Sequence, residues 1–101
     1  GATKSPTYTL VEPYQFKQQK VHHFDLYRLG HPEELEYLGI RDYFDGCAIN
    51  LIEWPDKGRG FLPTADVVLT IHPLERGRKL TFVAQTNMGD GVLVHLGKVK
   101  Q

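Results

Sequence analysis

At 101 residues, 41% hydrophobic and 24% charged, the chain has a globular composition and room for one domain or part of one. Twelve basic and twelve acidic side chains cancel, which leaves no electrostatic footprint for phosphodiester binding, so any link to RNA is expected to be indirect. The single Cys47 excludes an internal disulfide framework, and no apolar run has the length of a membrane span or the pattern of a signal peptide, so a reducing cytoplasm is the expected compartment.

Tyr8 to Val11 is β-branched and aromatic and reads as a strand that Pro13 breaks. Gln15 to Lys20 is polar, and Val21 to Tyr27 is strand-like again, so the two segments suit a hairpin. Pro32 at a first helical position, Glu33 and Glu34 in the first turn and Gly39 at the close predict a short helix over Pro32 to Leu38. Arg41 to Asp45 has the length of one further helical turn before Gly46, and Ala48 to Trp54 is a second apolar run with an acid near its far end.

Strand, helix and strand joined over about twenty residues suit a right-handed parallel crossover, because parallel neighbours need a dozen or more residues between them. Asp25 and Glu53 then emerge at the same sheet edge. Open α/β sheets bind ligands outside the carboxyl ends of their strands, which gives these two acids more weight than the others. Pro55 to Pro63, with Gly58 and Gly60, reads as a loop. Val67 to His72 and Leu80 to Gln85 read as strands bracketing the turn Glu75-Arg76-Gly77-Arg78, an antiparallel hairpin. Val92 to Leu96 is too short for its periodicity to separate strand from helix.

In Val21-His22-His23-Phe24-Asp25, strand alternation puts His23 and Asp25 on one face and His22 and Phe24 on the other. An acid ending an apolar strand beside a phosphate site can hold Mg²⁺, while the plainer role of such an Asp is to cap the following turn. Glu53, leaving the run Ile49-Asn50-Leu51-Ile52, is placed to bind the metal or orient an attacking water; its plainer role is an edge acid paired with Arg or Lys. Adjacent strand residues point to opposite faces, so His22 and His23 do not share one ion, and His31, His72 and His95 lack ligand spacing. Cys47 reads as a small core residue. Trp54, between Glu53 and Pro55, leaves the sheet at the ligand edge, where it suits either contact with a base or cover for the core.

Three separated stretches resemble one family: Ser5-Pro6-Thr7-Tyr8-Thr9-Leu10-Val11-Glu12, His23-Phe24-Asp25-Leu26-Tyr27-Arg28-Leu29, and Ile52-Glu53-Trp54-Pro55. They are similar to the characteristic segments of TsaE, also called YjeE. Pro32-Glu33-Glu34-Leu35-Glu36 and Gly39-Ile40-Arg41-Asp42-Tyr43 match the family's wording as well, so the likeness runs from Lys4 to about Arg78. His22 departs from it, standing where the family more often has an aromatic residue.

The resemblance implies a small P-loop ATPase that binds ATP and Mg²⁺, joins a TsaD–TsaB pair and supports repeated rounds of threonylcarbamoyladenosine formation on the tRNA adenosine beside the anticodon. It implies that Asp25 takes a Walker-B-like place and Glu53 the magnesium or water-orienting place. Thr7 would lie in the switch-like segment near the γ-phosphate, Trp54 by the nucleotide, and Arg78 would reach it from the C-terminal hairpin.

No G-x-x-x-x-G-K-[ST] occurs, and Gly97-Lys98-Val99 lacks both the upstream glycine spacing and the hydroxyl. In the family that loop precedes the Ser-Pro-Thr segment, so the chain is expected to begin after it and to act as a single partial domain over residues 1–101. The expected fold is α/β: a partial P-loop NTPase sheet, with parallel strands joined by a short helical crossover and an antiparallel C-terminal hairpin. Two other readings remain at this point. One is a partner-binding module without hydrolysis, and the other a metal-dependent hydrolase using Asp25 and Glu53 without nucleotide.

Overall fold

In the computed structural model, which describes residues 10–98, β1 (Val11–Phe16) and β2 (Gln19–Asp25) pair antiparallel through Lys17 and Gln18. Lys17 takes φ 57°, left-handed backbone that suits so short a return. The expected hairpin is present, but Pro13 does not break its first strand, which runs on to Phe16. Asp25 N–H donates to Leu10 O, so the alternating ladder bonds fall on Glu12 with His23 and skip Pro13 with His22, where no proline N–H is needed. β1 is also an edge of the three-stranded sheet, the place where a strand tolerates proline. Tyr8 and Thr9, read as part of this strand, lie outside the described residues.

After β2 the chain crosses through α1 (Glu34–Tyr37) and a 3₁₀ turn at Ile40–Tyr43 to β3 (Ala48–Glu53), which pairs parallel with β2. The helix is shorter than its sequence suggests. Its entry is spent on three-residue bonds, Glu34 N–H to His31 O and Leu35 N–H to Pro32 O, and Gly39 at φ 69° stops it after Leu38.

Alternation sorts the sheet into two faces. One carries Phe24 and Ile52 and is covered by the crossover, with Phe24, Leu26, Leu29, Leu35 and Ile40 buried as the core. Phe24 meets Tyr43 edge-on at 5.3 Å and stacks on Phe44 at 5.9 Å. The opposite face carries Tyr14, Phe16, Ile49 and Leu51, between 48% and 68% exposed, together with His23, Asp25 and Glu53. Cys47 is exposed, not the core residue its type suggested.

The chain divides into two compact units, 1–62 and 63–101. In the second, β4 (Val67–Pro73) and β5 (Arg78–Ala84) form the expected antiparallel hairpin, closed by Leu74 N–H donating to Gly77 O. Val92 to Leu96 lies within α2 (Asn87–Gly97), which Thr86 caps: its Oγ1 accepts the Gly89 N–H at 3.0 Å and donates to Asp66 Oδ1.

Candidate functional site

β2 and β3 end together. Asp25 and Glu53 are register partners, the last residues of two parallel neighbours, on the face opposite the Phe24 core. Leu26 N–H donates to Glu53 O at 3.1 Å, so the ladder holds both strand ends up to the point where the carboxylates emerge. The single sheet edge expected for these acids is observed.

Asp25 caps the following turn, Oδ1 accepting the Tyr27 N–H at 3.1 Å, and its Oδ2 has no hydrogen-bond donor among the described residues. Glu53 Oε1 lies 3.2 Å from His23 Nε2. The sequence suggested Arg or Lys as the plainer partner of Glu53; the partner is a histidine that alternation had already placed on the face of Asp25. An ionised carboxylate only accepts, so Nε2 carries the proton of this bond. His22 serves the other face, its Nδ1 3.0 Å from Asn50 Oδ1, while Asn50 Nδ2 donates to Tyr43 O at 3.1 Å. Its ring stands edge-on to Tyr43 at 5.0 Å, so this departure from the family's wording is a packing matter.

Trp54 follows β3 in the left-handed region, φ 59° and ψ 51°, before the 3₁₀ turn Pro55–Gly58. That backbone is unusual for a bulky side chain, and the proline after it disfavours it further; strain of this kind concentrates at functional sites. The Trp54 ring lies 5.0 Å from that of Tyr27, both are 55% exposed, and Lys57 Nζ stands 5.7 Å from the Tyr27 ring centre. An exposed aromatic pair therefore stands within two residues of the two carboxylates in sequence, with flat apolar faces of the kind that take a base. Tyr27 and Lys57 carried no signal of their own beyond nearness in sequence to Asp25 and Trp54.

Of the site residues read from the sequence, the sheet edge brings together Asp25, Glu53 and Trp54. Arg78 opens β5 in the second unit, and Thr7 lies outside the described residues. Among the described residues no three or more His, Cys, Asp or Glu side chains converge into a metal cage. Two neighbouring carboxylates suit a cation that keeps its waters and takes phosphate oxygens, as Mg²⁺ does.

The profile of the family described as "Threonylcarbamoyl adenosine biosynthesis protein TsaE" matches residues 1–80. The chain belongs to the TsaE family. Among curated TsaE relatives, the tRNA threonylcarbamoyladenosine biosynthesis protein TsaE of Haemophilus influenzae is 52% identical over 93 residues, covering 92% of this chain and 59% of that protein. The TsaE protein of Borreliella burgdorferi is 37% identical over 93 residues, covering 91% of this chain and 58% of its own length. That of Bacillus subtilis is 32% identical over 84 residues, with 82% and 52% covered. The chain thus spans between about half and three-fifths of the length of these relatives, and the first match extends past Arg78 into the segment that the TsaE resemblance had not reached. The crystal structure of Bacillus subtilis YdiB aligns with a TM-score of 0.68 at 24% identity, covering 94% of this chain and 60% of that one. The fold is therefore shared with that structure and is the expected mixed α/β one, with parallel strands joined by a short helical crossover and an antiparallel C-terminal hairpin.

Proposed function

We propose that the chain is part of a TsaE-type ATPase that hydrolyses ATP with Mg²⁺ to support turnover of a TsaD–TsaB complex in tRNA N6-threonylcarbamoyladenosine formation. The observation that carries this reading is the pairing of Asp25 with Glu53 at the ends of parallel β2 and β3, in a chain of the TsaE family. Mg²⁺, when bound, supplies neutralisation of phosphate charge. Toward it the chain offers the Oδ2 of Asp25, in the Walker-B-like place, and the carboxylate of Glu53, which either binds the ion or orients a water. Trp54 and Tyr27 offer their rings to the base. Thr7 and Arg78 enter on the strength of the family resemblance alone.

In this reading residues 1–101 work as one partial domain, supported by a family match that runs across the boundary between the two units. RNA is met only through the partner proteins, in keeping with the zero formal charge, and the setting is the cytoplasm. No described helix is long and apolar enough to cross a membrane. The 101 residues contain no phosphate-cradling G-x-x-x-x-G-K-[ST], so hydrolysis is expected only from a chain that also carries that loop.

The test is Glu53→Gln in such a chain. The amide keeps the shape and loses the charge, so nucleotide affinity should survive while hydrolysis slows. Partial rescue by raised Mg²⁺ assigns Glu53 to the metal, and no rescue assigns it to the water; hydrolysis at the parental rate removes it from the chemistry. A second reading is a partner-binding module without hydrolysis. It predicts partner binding that survives Asp25→Asn and Glu53→Gln together, with no effect of nucleotide on it.

A further inference from the structure

We propose that His23 is a positioning residue for Glu53: its Nε2–H holds Oε1 and fixes the carboxylate, leaving Oε2 for magnesium or the attacking water. This rests on the ATPase reading above. The bond joins residues 30 apart in sequence across two neighbouring strands, at 3.2 Å. His23 stands opposite Leu51 in the register, two residues before the end of β2, so its ring reaches diagonally along the face to the last residue of β3. Glu12, the register partner of His23 in β1, also lies on this face, yet the described contact of Nε2 is with Glu53.

Stability does not account for the pair. The side chains are 33% and 55% exposed, and an ion pair or hydrogen bond so placed is worth about 0–1 kcal/mol at most. What the bond does is restrict a side chain that otherwise samples many rotamers, and a carboxylate held in place before the reaction needs no reorganisation during it. The residue type fits that task. Lys or Arg would hold the carboxylate too, but as a permanent cation it would repel a divalent ion beside it; an imidazole donates from Nε2 without needing a positive charge. Carboxylates at metal sites are commonly oriented by such hydrogen bonds.

The experiment compares His23→Leu, His23→Gln, Glu53→Gln and the double variant His23→Leu/Glu53→Gln in a chain carrying the phosphate loop. Steady-state ATP hydrolysis gives kcat and KM, and calorimetry gives the magnesium dependence of ADP binding. His23→Leu should lower kcat, or raise the magnesium needed for half-effect, by about tenfold, the lower end for lost second-layer partners. KM for ATP at saturating magnesium should stay within about twofold. His23→Gln, whose amide N–H replaces Nε2–H, should restore most of the loss, and the double variant should be no worse than Glu53→Gln. Melting temperatures close to the parent's would exclude a merely structural origin, and His23→Thr replaces the leucine variant if that one misfolds. A His23→Leu protein with parental kcat and magnesium dependence overturns the proposal, as does a glutamine variant equally impaired or a leucine effect that persists without Glu53. If Glu53→Gln hydrolyses at the parental rate, the ATPase role of Glu53 falls and His23 with it; if Glu53→Gln is impaired and His23→Leu is not, only His23 is removed.

Discussion

Replacing Gly89 with alanine should weaken the C-terminal unit, although alanine is the better helix former. Propensity alone would make α2 more stable by up to about 1 kcal/mol. Position decides otherwise: a Cβ at residue 89 would run into the Asp66 carbonyl oxygen, 2.7 Å from its carbon and 3.3 Å from the Ala84 Cβ. The Asp66 atoms are backbone, and that oxygen is already held by the Gln85 N–H at 2.8 Å, so the start of α2 must move instead. Movement breaks the Thr86 cap, worth about 1 kcal/mol, and weakens the Thr86 hydroxyl bond to Asp66, worth about 1 kcal/mol more. Residual overpacking adds about 1–3 kcal/mol, and after the propensity gain the net loss is roughly 2–4 kcal/mol. Urea denaturation followed by far-ultraviolet circular dichroism, with amide exchange in α2, measures it. Gly91→Ala is the control, since a Cβ there meets nothing within 4 Å and should stabilise. A Gly89→Ala protein as stable as the parent, or indistinguishable from Gly91→Ala, would refute the reasoning.

The 101-residue chain should bind MgATP weakly or not at all in calorimetric titration, because the backbone nest and lysine of a phosphate loop are not in its sequence; tight binding would mean the phosphate site is elsewhere. In a chain carrying the loop, Asp25→Asn should weaken magnesium as well as slow hydrolysis, whereas Glu53→Gln should mainly slow hydrolysis, by about tenfold or more. Magnesium titrations on the two variants separate them. Lys17→Asn should raise the melting temperature, since asparagine tolerates the left-handed backbone at φ 57° that costs other residues about 1 kcal/mol; a lowered melting temperature would show that the Lys17 ammonium, 5.6 Å from the Phe16 ring centre, contributes more than the backbone costs.

The parts legible in the sequence were those fixed by local pattern and connection length. Alternation and a Gly-Arg turn were enough for β4 and β5, and the length of the connection was enough to make β2 and β3 parallel and bring Asp25 beside Glu53. The β1 strand was misread because Pro13 usually breaks a strand, and only the pairing pattern reveals that it sits on an edge where no N–H is missed. The helix α2 was left open because Gly89, Gly91 and Gly97 dilute its pattern; the Thr86 cap was the available signal, and the close approach that requires Gly89 is tertiary. The His23–Glu53 bond was within reach of alternation plus register, but residue type pointed to Arg or Lys. The Tyr27–Trp54 pair depends on the left-handed bend at Trp54, which nothing in local sequence announces.

The side-by-side register of β2 and β3 makes the edge sensitive to insertions and deletions in a position-dependent way. A residue gained between Asp45 and Cys47, in the exposed turn after the rings that pack on Phe24, lengthens a connector and leaves both carboxylates where they are. A residue lost between Ile49 and Ile52, with the start of β3 unmoved, shifts Glu53 by one place onto the face of Phe24 and puts Trp54 beside Asp25. Length is therefore tolerated in that exposed turn, while inside the strands an odd change turns the acid to the other face and an even one keeps the face but carries it along the strand away from Asp25.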